Sequence, residues 1–385
     1  MSELIYIITT QQTVDQTSTP NDVDELLAVA NNAGFTSRVL YIDPLSAGWN
    51  SPLATDHFRS GNSPLEAIEI ACQQLRDGIV DIVVISGEDN LKTGYTSKMR
   101  REMMEIYPDL TLLEAYTQLA KTWCQLHKMS SDEFIELSKQ LFDNYSKTYT
   151  ELMPDDNLRH TIHIYAGTNN TNSNYVIPAK AGIHNITCST PDDRWFEFVT
   201  DLFRGVDCAN PVIDYVGKIM LATRTVAEKL ISSGEQLVEV AGIGTRTLPL
   251  ISGINDIPEI AKYNHLRQSF ELACESANID FIQLFKDNKA YLEVYTCFPV
   301  VPLAFLYATG MVANLEDTEE FISNYQLTVT GGMNLAKAPW NLPVLRAIIA
   351  LYDKLQQSDK ISVAGVHGNG GLGEKQGFMI LKAQK

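Results

Sequence analysis

Tyr295 and Cys297 stand two residues apart in the string Glu293-Val294-Tyr295-Thr296-Cys297-Phe298-Pro299, and in a strand that spacing sends both side chains to one face. A tyrosine hydroxyl can give a hydrogen bond or a proton, and the thiol is a second reactive group; a tyrosine packed at a strand end and a small buried cysteine account for the same residues. His367 follows an apolar run and precedes Gly368-Asn369-Gly370-Gly371, where the lack of side chains lets the backbone approach a ligand closely. It reads as an acid/base or ligand contact, or as a histidine held by a structural hydrogen bond. Gly331-Gly332 and Gly370-Gly371 can both offer backbone N–H groups to a carbonyl oxygen. The 368–373 run lacks the Gly-Lys-Ser/Thr ending of a phosphate loop.

Two further groups carry potential chemistry. Ser60-Gly61-Asn62-Ser63 precedes Pro64 and a helical pattern; Ser60 or Ser63 is either a nucleophile, which needs an adjacent base, or a helix cap. Lys92, Lys98, Arg100 and Arg101 cluster in an otherwise acidic chain, and they fit either a phosphate-bearing ligand or a solvated helix face.

The elements that must position these residues alternate. Strand-like runs at 4–9, 37–42 and 79–86 enclose helical patterns at 23–32 and 64–76, a β-α-β-α-β order that predicts a mainly parallel sheet. The run at 79–86 is too continuously apolar for a strand with one wet face. Helical patterns at 110–127 and 131–152 and the polar stretch 167–174 read as an insertion. A helix at 213–232 and a strand at 236–241 resume the pattern. A second set follows: a strand at 291–295, a helix starting at 301–307, a short strand at 327–330, a helix at 340–355 and strands at 361–367 and 377–381. No sequence repeat is visible between the two sets.

With 385 residues, 45% of them hydrophobic, the chain is long enough for about two domains around a large core. The net charge of −17 repels a phosphate backbone, so nucleic acid is not expected as a partner. No run reaches the roughly 18 apolar residues of a membrane span, and the N-terminus enters its first strand without a basic leader, so no membrane association is expected and the expected location is cytoplasmic. Six cysteines are scattered singly, without zinc-ligand spacing; no metal is expected.

Four segments, in order, resemble motifs of the acetyl-CoA acetyltransferase-like, SCP2-type branch of the thiolase superfamily: Gly61-Asn62-Ser63-Pro64; the string 293–299; Leu327-Thr328-Val329-Thr330-Gly331-Gly332-Met333 with Ala338-Pro339-Trp340-Asn341 behind it; and His367-Gly368-Asn369-Gly370-Gly371 with Lys375. The resemblance implies an α/β thiolase fold, two pseudo-symmetric βαβαβαββ halves forming a five-layered α-β-α-β-α body with an inserted loop domain. It divides the chain into an N-terminal half (1–91 and 205–245), a loop domain (92–204) and a C-terminal half (246–385), and it implies a homodimer. It also shows losses. No cysteine stands at the helix start around residues 60–63, the histidine expected to activate it falls at Ala338, and histidines expected at two further places appear as Arg346 and Gln376.

By the resemblance, Tyr295, His367 and Cys297 are the catalytic candidates. Gly331, Gly332, Asn369, Gly370, Gly371, Ser63, Lys98 and Arg101 are the substrate-binding ones, with the cations facing the phosphates of coenzyme A. The implied ligand is an acyl-CoA or acyl-carrier thioester, with no tightly bound cofactor. The implied function is acyl transfer or carbon–carbon bond chemistry without the usual nucleophile; the alternative is a non-catalytic acyl-thioester-binding or structural subunit, with a small zinc-ribbon/OB-fold protein as a separate partner.

Overall fold

The computed structural model describes residues 3–15, 17–19, 22–45, 52–103, 105–107, 110–152, 193–210, 212–231, 236–249, 253–335 and 340–384. Twelve strands lie among them: β1 (Ile5–Val14), β2 (Thr17–Ser18), β3 (Ser37–Ile42), β4 (His57–Phe58), β5 (Ile82–Asn90), β6 (Glu105–Tyr107), β7 (Leu110–Thr111), β8 (Asp214–Thr223), β9 (Val238–Thr247), β10 (Ala290–Glu293), β11 (Val363–Gly370) and β12 (Lys375–Ala383). Ten form one sheet in the order β4-β3-β5-β8-β1-β9-β12-β11-β10, with β2 paired to β1 off that path, and β6 pairs with β7 apart from it.

The sheet repeats itself about its middle. On one side β3 is parallel to β5, β5 antiparallel to β8 and β8 antiparallel to β1. On the other, β10 is parallel to β11, β11 antiparallel to β12 and β12 antiparallel to β9. The two sides meet where β1 and β9 pair antiparallel, over Tyr6↔Glu239 and Ile7↔Val238. The sheet is therefore mixed rather than mainly parallel. β8 and β5 lie between β1 and β3, so the two strands of the first β-α-β unit are not neighbours, whereas β3 and β5 of the second are. This also corrects the helix expected at 213–232. Residues 214–223 are a strand, because pairing to β1 and β5 on both edges satisfies its backbone and its Ile219–Ala222 stretch is buried. Only Arg224–Leu230 is helical.

The helices follow the same repeat. Asp22–Asn32 comes after β1 and Asn264–Ala277 after β9; Ser63–Arg76 precedes β5 and Pro343–Gln357 precedes β11. Ser63–Arg76 touches β1, β3, β5 and β8 of one side and β9, β11 and β12 of the other, and Pro343–Gln357 likewise touches β1 and β8 together with β9, β11 and β12. A helix can reach strands of both sides only if the sheet folds over so that its two sides face each other across it. The helices Ser63–Arg76 and Pro343–Gln357 are that middle layer. Asp22–Asn32 with Arg224–Leu230 covers one outer face through a separate apolar cluster of Tyr6, Ile8, Val84 and Met220. Asn264–Ala277 covers the other, over β9 and β12.

Leu112–His127 begins at a capping box, with the Thr111 side chain on the Glu114 N–H and the Glu114 carboxylate on the Thr111 N–H. Ser131–Leu152 follows as expected. The polar stretch 167–174 and Ala338 lie outside the described residues. Asn264–Ala277 sits close on its strand because β9 presents Gly242 and Gly244: a Cβ at the first would collide with the Ala273 carbonyl and at the second with the Ser269 carbonyl. Gly242→Ala is therefore expected to cost about 1–3 kcal/mol of stability, read as a lowered midpoint in urea denaturation; a midpoint equal to wild type would mean the helix is not seated on that glycine.

Candidate functional site

The turn before the first middle-layer helix lies against the β11–β12 hairpin. The Asn62 side chain covers Gly368 and Gly377, and Ser60 covers Gly370; a Cβ on any of these glycines would meet them at under 3 Å. A Cβ on Gly61 would run into the Tyr295 hydroxyl and the Asn369 carbonyl oxygen. The tyrosine ring thus fills the space that a side chain at position 61 would take.

Strand β10 ends at Glu293, short of the continuation that would set Tyr295 and Cys297 on one strand face. Both still face the same cluster, because Glu293 and Thr296 are anchored elsewhere. The Glu293 carboxylate accepts from the Val329 N–H (2.6 Å), the Thr330 N–H (3.0 Å) and the Thr330 hydroxyl (2.5 Å). Thr296 accepts from the Met333 N–H at 2.8 Å. Residues 327–330 form no strand; that segment is held by Glu293 and by Asn144, whose Oδ1 takes the Leu327 N–H. Burial drives the Glu293 pKa up to about 7 against the downward pull of these bonds.

Around Tyr295 runs a chain of hydrogen bonds. The Tyr295 N–H donates to His367 Nδ1 (3.4 Å), so His367 Nε2 carries the proton and donates to Gln376 Oε1 at 2.8 Å. Gln376 Nε2 donates to Asn369 Oδ1 at 2.6 Å and to the Gly373 carbonyl at 3.0 Å. Asn369 Nδ2 donates to the Tyr116 hydroxyl at 3.1 Å, and that hydroxyl donates to the Gly371 carbonyl at 3.0 Å. The Cys297 thiol donates to the Tyr116 oxygen at 3.6 Å. Among the described residues the Tyr295 hydroxyl makes only a long bond, 3.5 Å, to the Trp340 carbonyl. Burial keeps every titratable member neutral: the His367 pKa is pushed down to about 4, the Cys297 thiol up to about 12, and the Tyr116 and Tyr295 phenols well above their ordinary value.

Tyr295, Cys297, His367, Asn369, Gly370 and Gly371 therefore come together. Gly368–Gly370 belong to β11 rather than to a loop, and the turn is confined to residues 371–374. His367 has both ring nitrogens engaged and its ring stacked on Phe305 at 4.7 Å. Ser63 is near but tied into its own turn, donating to the Ser60 carbonyl at 2.5 Å and accepting the Ser60 N–H at 3.2 Å. Neither serine caps the helix, whose N-cap is Asn62. Gly331 and Gly332 are covered by the helix Ser131–Leu152: a Cβ on Gly331 would press on Tyr149, and one on Gly332 on Thr296 and the Tyr145 ring. Lys98 lies on an exposed helix face, paired with Glu102 at 3.6 Å, and Lys92 pairs with Asp15 at 3.1 Å. The Arg100 and Arg101 side chains lie outside the described residues.

Tyr116 and Gln376 are members of the cluster that sequence reasoning did not select. Tyr116 sits among Leu112, Leu119 and Trp123 at helical spacing and looks like plain core; nothing in the local pattern marks its hydroxyl. Among the described residues, no group of three His, Cys, Asp or Glu is placed to hold a metal ion, and no helix is long and apolar enough to cross a membrane.

Two mirrored α/β halves closing on a shared pair of buried helices, with the polar cluster where those helices begin, make this a thiolase-like fold. No protein-family model and no curated protein matches the chain by sequence. Among solved structures, it is similar to a monomeric SCP2-thiolase-like protein type 1 from Mycobacterium smegmatis, at 15% identity and a TM-score of 0.63 over 99% of this chain and 78% of that one. It is similar to the Ltp2-ChsH2(DUF35) aldolase, at 14% identity and a TM-score of 0.61 over 99% and 98%. It is similar also to human mitochondrial 3-ketoacyl-CoA thiolase, at 13% identity and a TM-score of 0.61 over 100% and 99%.

Two expectations follow from the cluster. Gln376→Leu removes the partner of the His367 proton and of Asn369 Oδ1 at once, and is expected to cost about 2–4 kcal/mol, seen as a loss of thermal stability. In Glu293→Gln the amide can accept the two N–H bonds and donate to Thr330, so the fold is kept and the titration removed. A folded-state pKa above the unfolded carboxyl value means the native state holds its proton more tightly, a stabilisation present at low pH and lost as pH rises between about 4.5 and 7. Wild type should therefore lose up to roughly 3 kcal/mol relative to Glu293→Gln over that interval, in urea titrations at matched pH. A constant difference between the two proteins would show that Glu293 is ionised throughout.

Proposed function

We propose that the protein is a thiolase-like enzyme acting on an acyl thioester, of coenzyme A or of a carrier protein, by proton transfer without a covalent acyl intermediate. The observation that carries this reading is the placement of the Tyr295 hydroxyl against Gly61, at the start of the first middle-layer helix, with only one long hydrogen bond among the described residues. A thiol whose pKa stands at about 12 is a poor nucleophile, and the serine hydroxyls of the 60–63 turn are engaged with their own backbone.

A neutral phenol in a dry site can carry a proton. In a retro-aldol step the neutral Tyr295 phenol gives its own proton to the α carbon as the bond between the α and β carbons breaks with its electron pair moving onto that carbon, and the phenol oxygen takes the β-hydroxyl proton as the new carbonyl forms, so Tyr295 ends neutral. The enolate charge that develops during the step is held at the thioester oxygen. The backbone N–H groups of Gly370 and Gly371, where β11 passes into the turn, are the proposed holders of the oxygen. His367 positions Tyr295 by accepting its backbone N–H. The likeness to an aldolase of the same fold supports the reaction class.

The neutral, fully buried cluster favours a second reading, a non-catalytic subunit that binds acyl thioesters or supports a partner. In that case the chain works beside a second protein, as the name of the Ltp2-ChsH2(DUF35) aldolase records for that complex. Tyr295→Phe distinguishes them: turnover should fall by about 10²–10⁴-fold while the affinity for an acyl-CoA stays near wild type. Intact-protein mass spectrometry after incubation with acyl-CoAs should show no adduct. An adduct would restore a covalent mechanism, and turnover indifferent to Tyr295→Phe would remove that residue from it.

A further inference from the structure

Tyr263 occupies a conformation that a bulky side chain rarely adopts, with φ 48° and ψ 30° as the N-cap of Asn264–Ala277. Holding a tyrosine there costs of order 1–3 kcal/mol, which the surroundings must offset. The conformation aims the ring inward. It is 1% exposed, and its hydroxyl has no hydrogen-bond partner among the described residues. An unpaired buried hydroxyl is a second cost.

The hydroxyl lies beside the turn of the polar cluster. A Cβ on Gly373, itself at φ 117°, would stand 3.4 Å from the Tyr263 hydroxyl and 3.4 Å from Asn369 Oδ1. The Gly373 carbonyl is already taken, receiving Gln376 Nε2 at 3.0 Å and His265 Nε2 at 2.7 Å. Asn369 Oδ1 receives Gln376 at 2.6 Å. The two acceptors beside it are thus already engaged, and among the described residues the Tyr263 hydroxyl is left without a partner.

We propose that the Tyr263 hydroxyl is a binding group of this site, donating a hydrogen bond to the carbonyl oxygen of the acyl thioester; this rests on the acyl-thioester reading above. A neutral donor suits such an oxygen, whose negative charge grows as the neighbouring carbon–carbon bond breaks. The strained backbone is what holds the donor at the turn ahead of the ligand.

The test is Tyr263→Phe, which keeps the ring and removes only the oxygen, with acetyl-CoA as the probe. The variant should unfold at the same temperature as wild type or higher, because the hydroxyl has no hydrogen-bond partner among the described residues. Its affinity for acetyl-CoA should drop at least tenfold, while coenzyme A without an acyl group should bind both proteins alike. A lowered melting temperature would show that the hydroxyl is bonded within the protein and would overturn the proposal. So would equal affinity of the two proteins for acetyl-CoA, which leaves the acyl-thioester reading standing. If wild type binds neither acetyl-CoA nor a longer acyl-CoA, that reading falls, and the role of Tyr263 falls with it.

Discussion

The close seating of residues 60–63 on the hairpin of β11 and β12 is the contact on which the site depends. Three glycines, Gly368, Gly370 and Gly377, form a bare strip on two adjacent strands, and the turn that opens the first middle-layer helix comes down onto it. Any side chain on the strip would lift the helix away and, with it, the wall against which Tyr295 rests. The two halves of the molecule are thereby joined at the place where chemistry is proposed. The first half contributes the turn, and the second contributes the hairpin and the tyrosine.

Around that contact the polar groups are arranged in two separate systems. Glu293 and Thr296 face away from the hairpin and hold the 329–333 segment by its backbone. Tyr295 and Cys297, next to them in sequence, face toward it. A single irregular stretch after β10 thus divides its residues between support and site, and does so without the regular alternation of a strand. The chain His367–Gln376–Asn369–Tyr116 ties the hairpin to the helix Leu112–His127, which is thus fixed to β11 and β12 by a phenol.

Much of the framework was legible in the residues. The β-α-β-α-β order, the long helices at 112–127 and 131–152 and the approximate strands at 290–293 and 363–370 follow from hydrophobic period and length, which are local. The mixed sheet was not legible: whether β8 is a strand depends on its lying between β1 and β5, a fact about partners more than a hundred residues away. Of the site, the glycines and Tyr295 stood out because they break local pattern. Tyr116, Tyr263 and Gln376 did not. Two of these are aromatic residues at core positions, and the third is an amide whose meaning comes only from the histidine and asparagine it bridges. The covering of Gly331 and Gly332 was not legible for the same reason, since Tyr145 and Tyr149 come from a helix distant in sequence whose docking no local signal gives.

The mirrored order of the sheet has an electrostatic consequence. Because the helices Ser63–Arg76 and Pro343–Gln357 hold equivalent places in the two halves, their first turns both begin beside Tyr295: one through Gly61, the other through Trp340. Each helix start carries partial positive charge from its unpaired N–H groups. A fold built by repetition thus superimposes two such fields on one point, and the backbone by itself biases that point in the interior of this acidic protein toward negative charge.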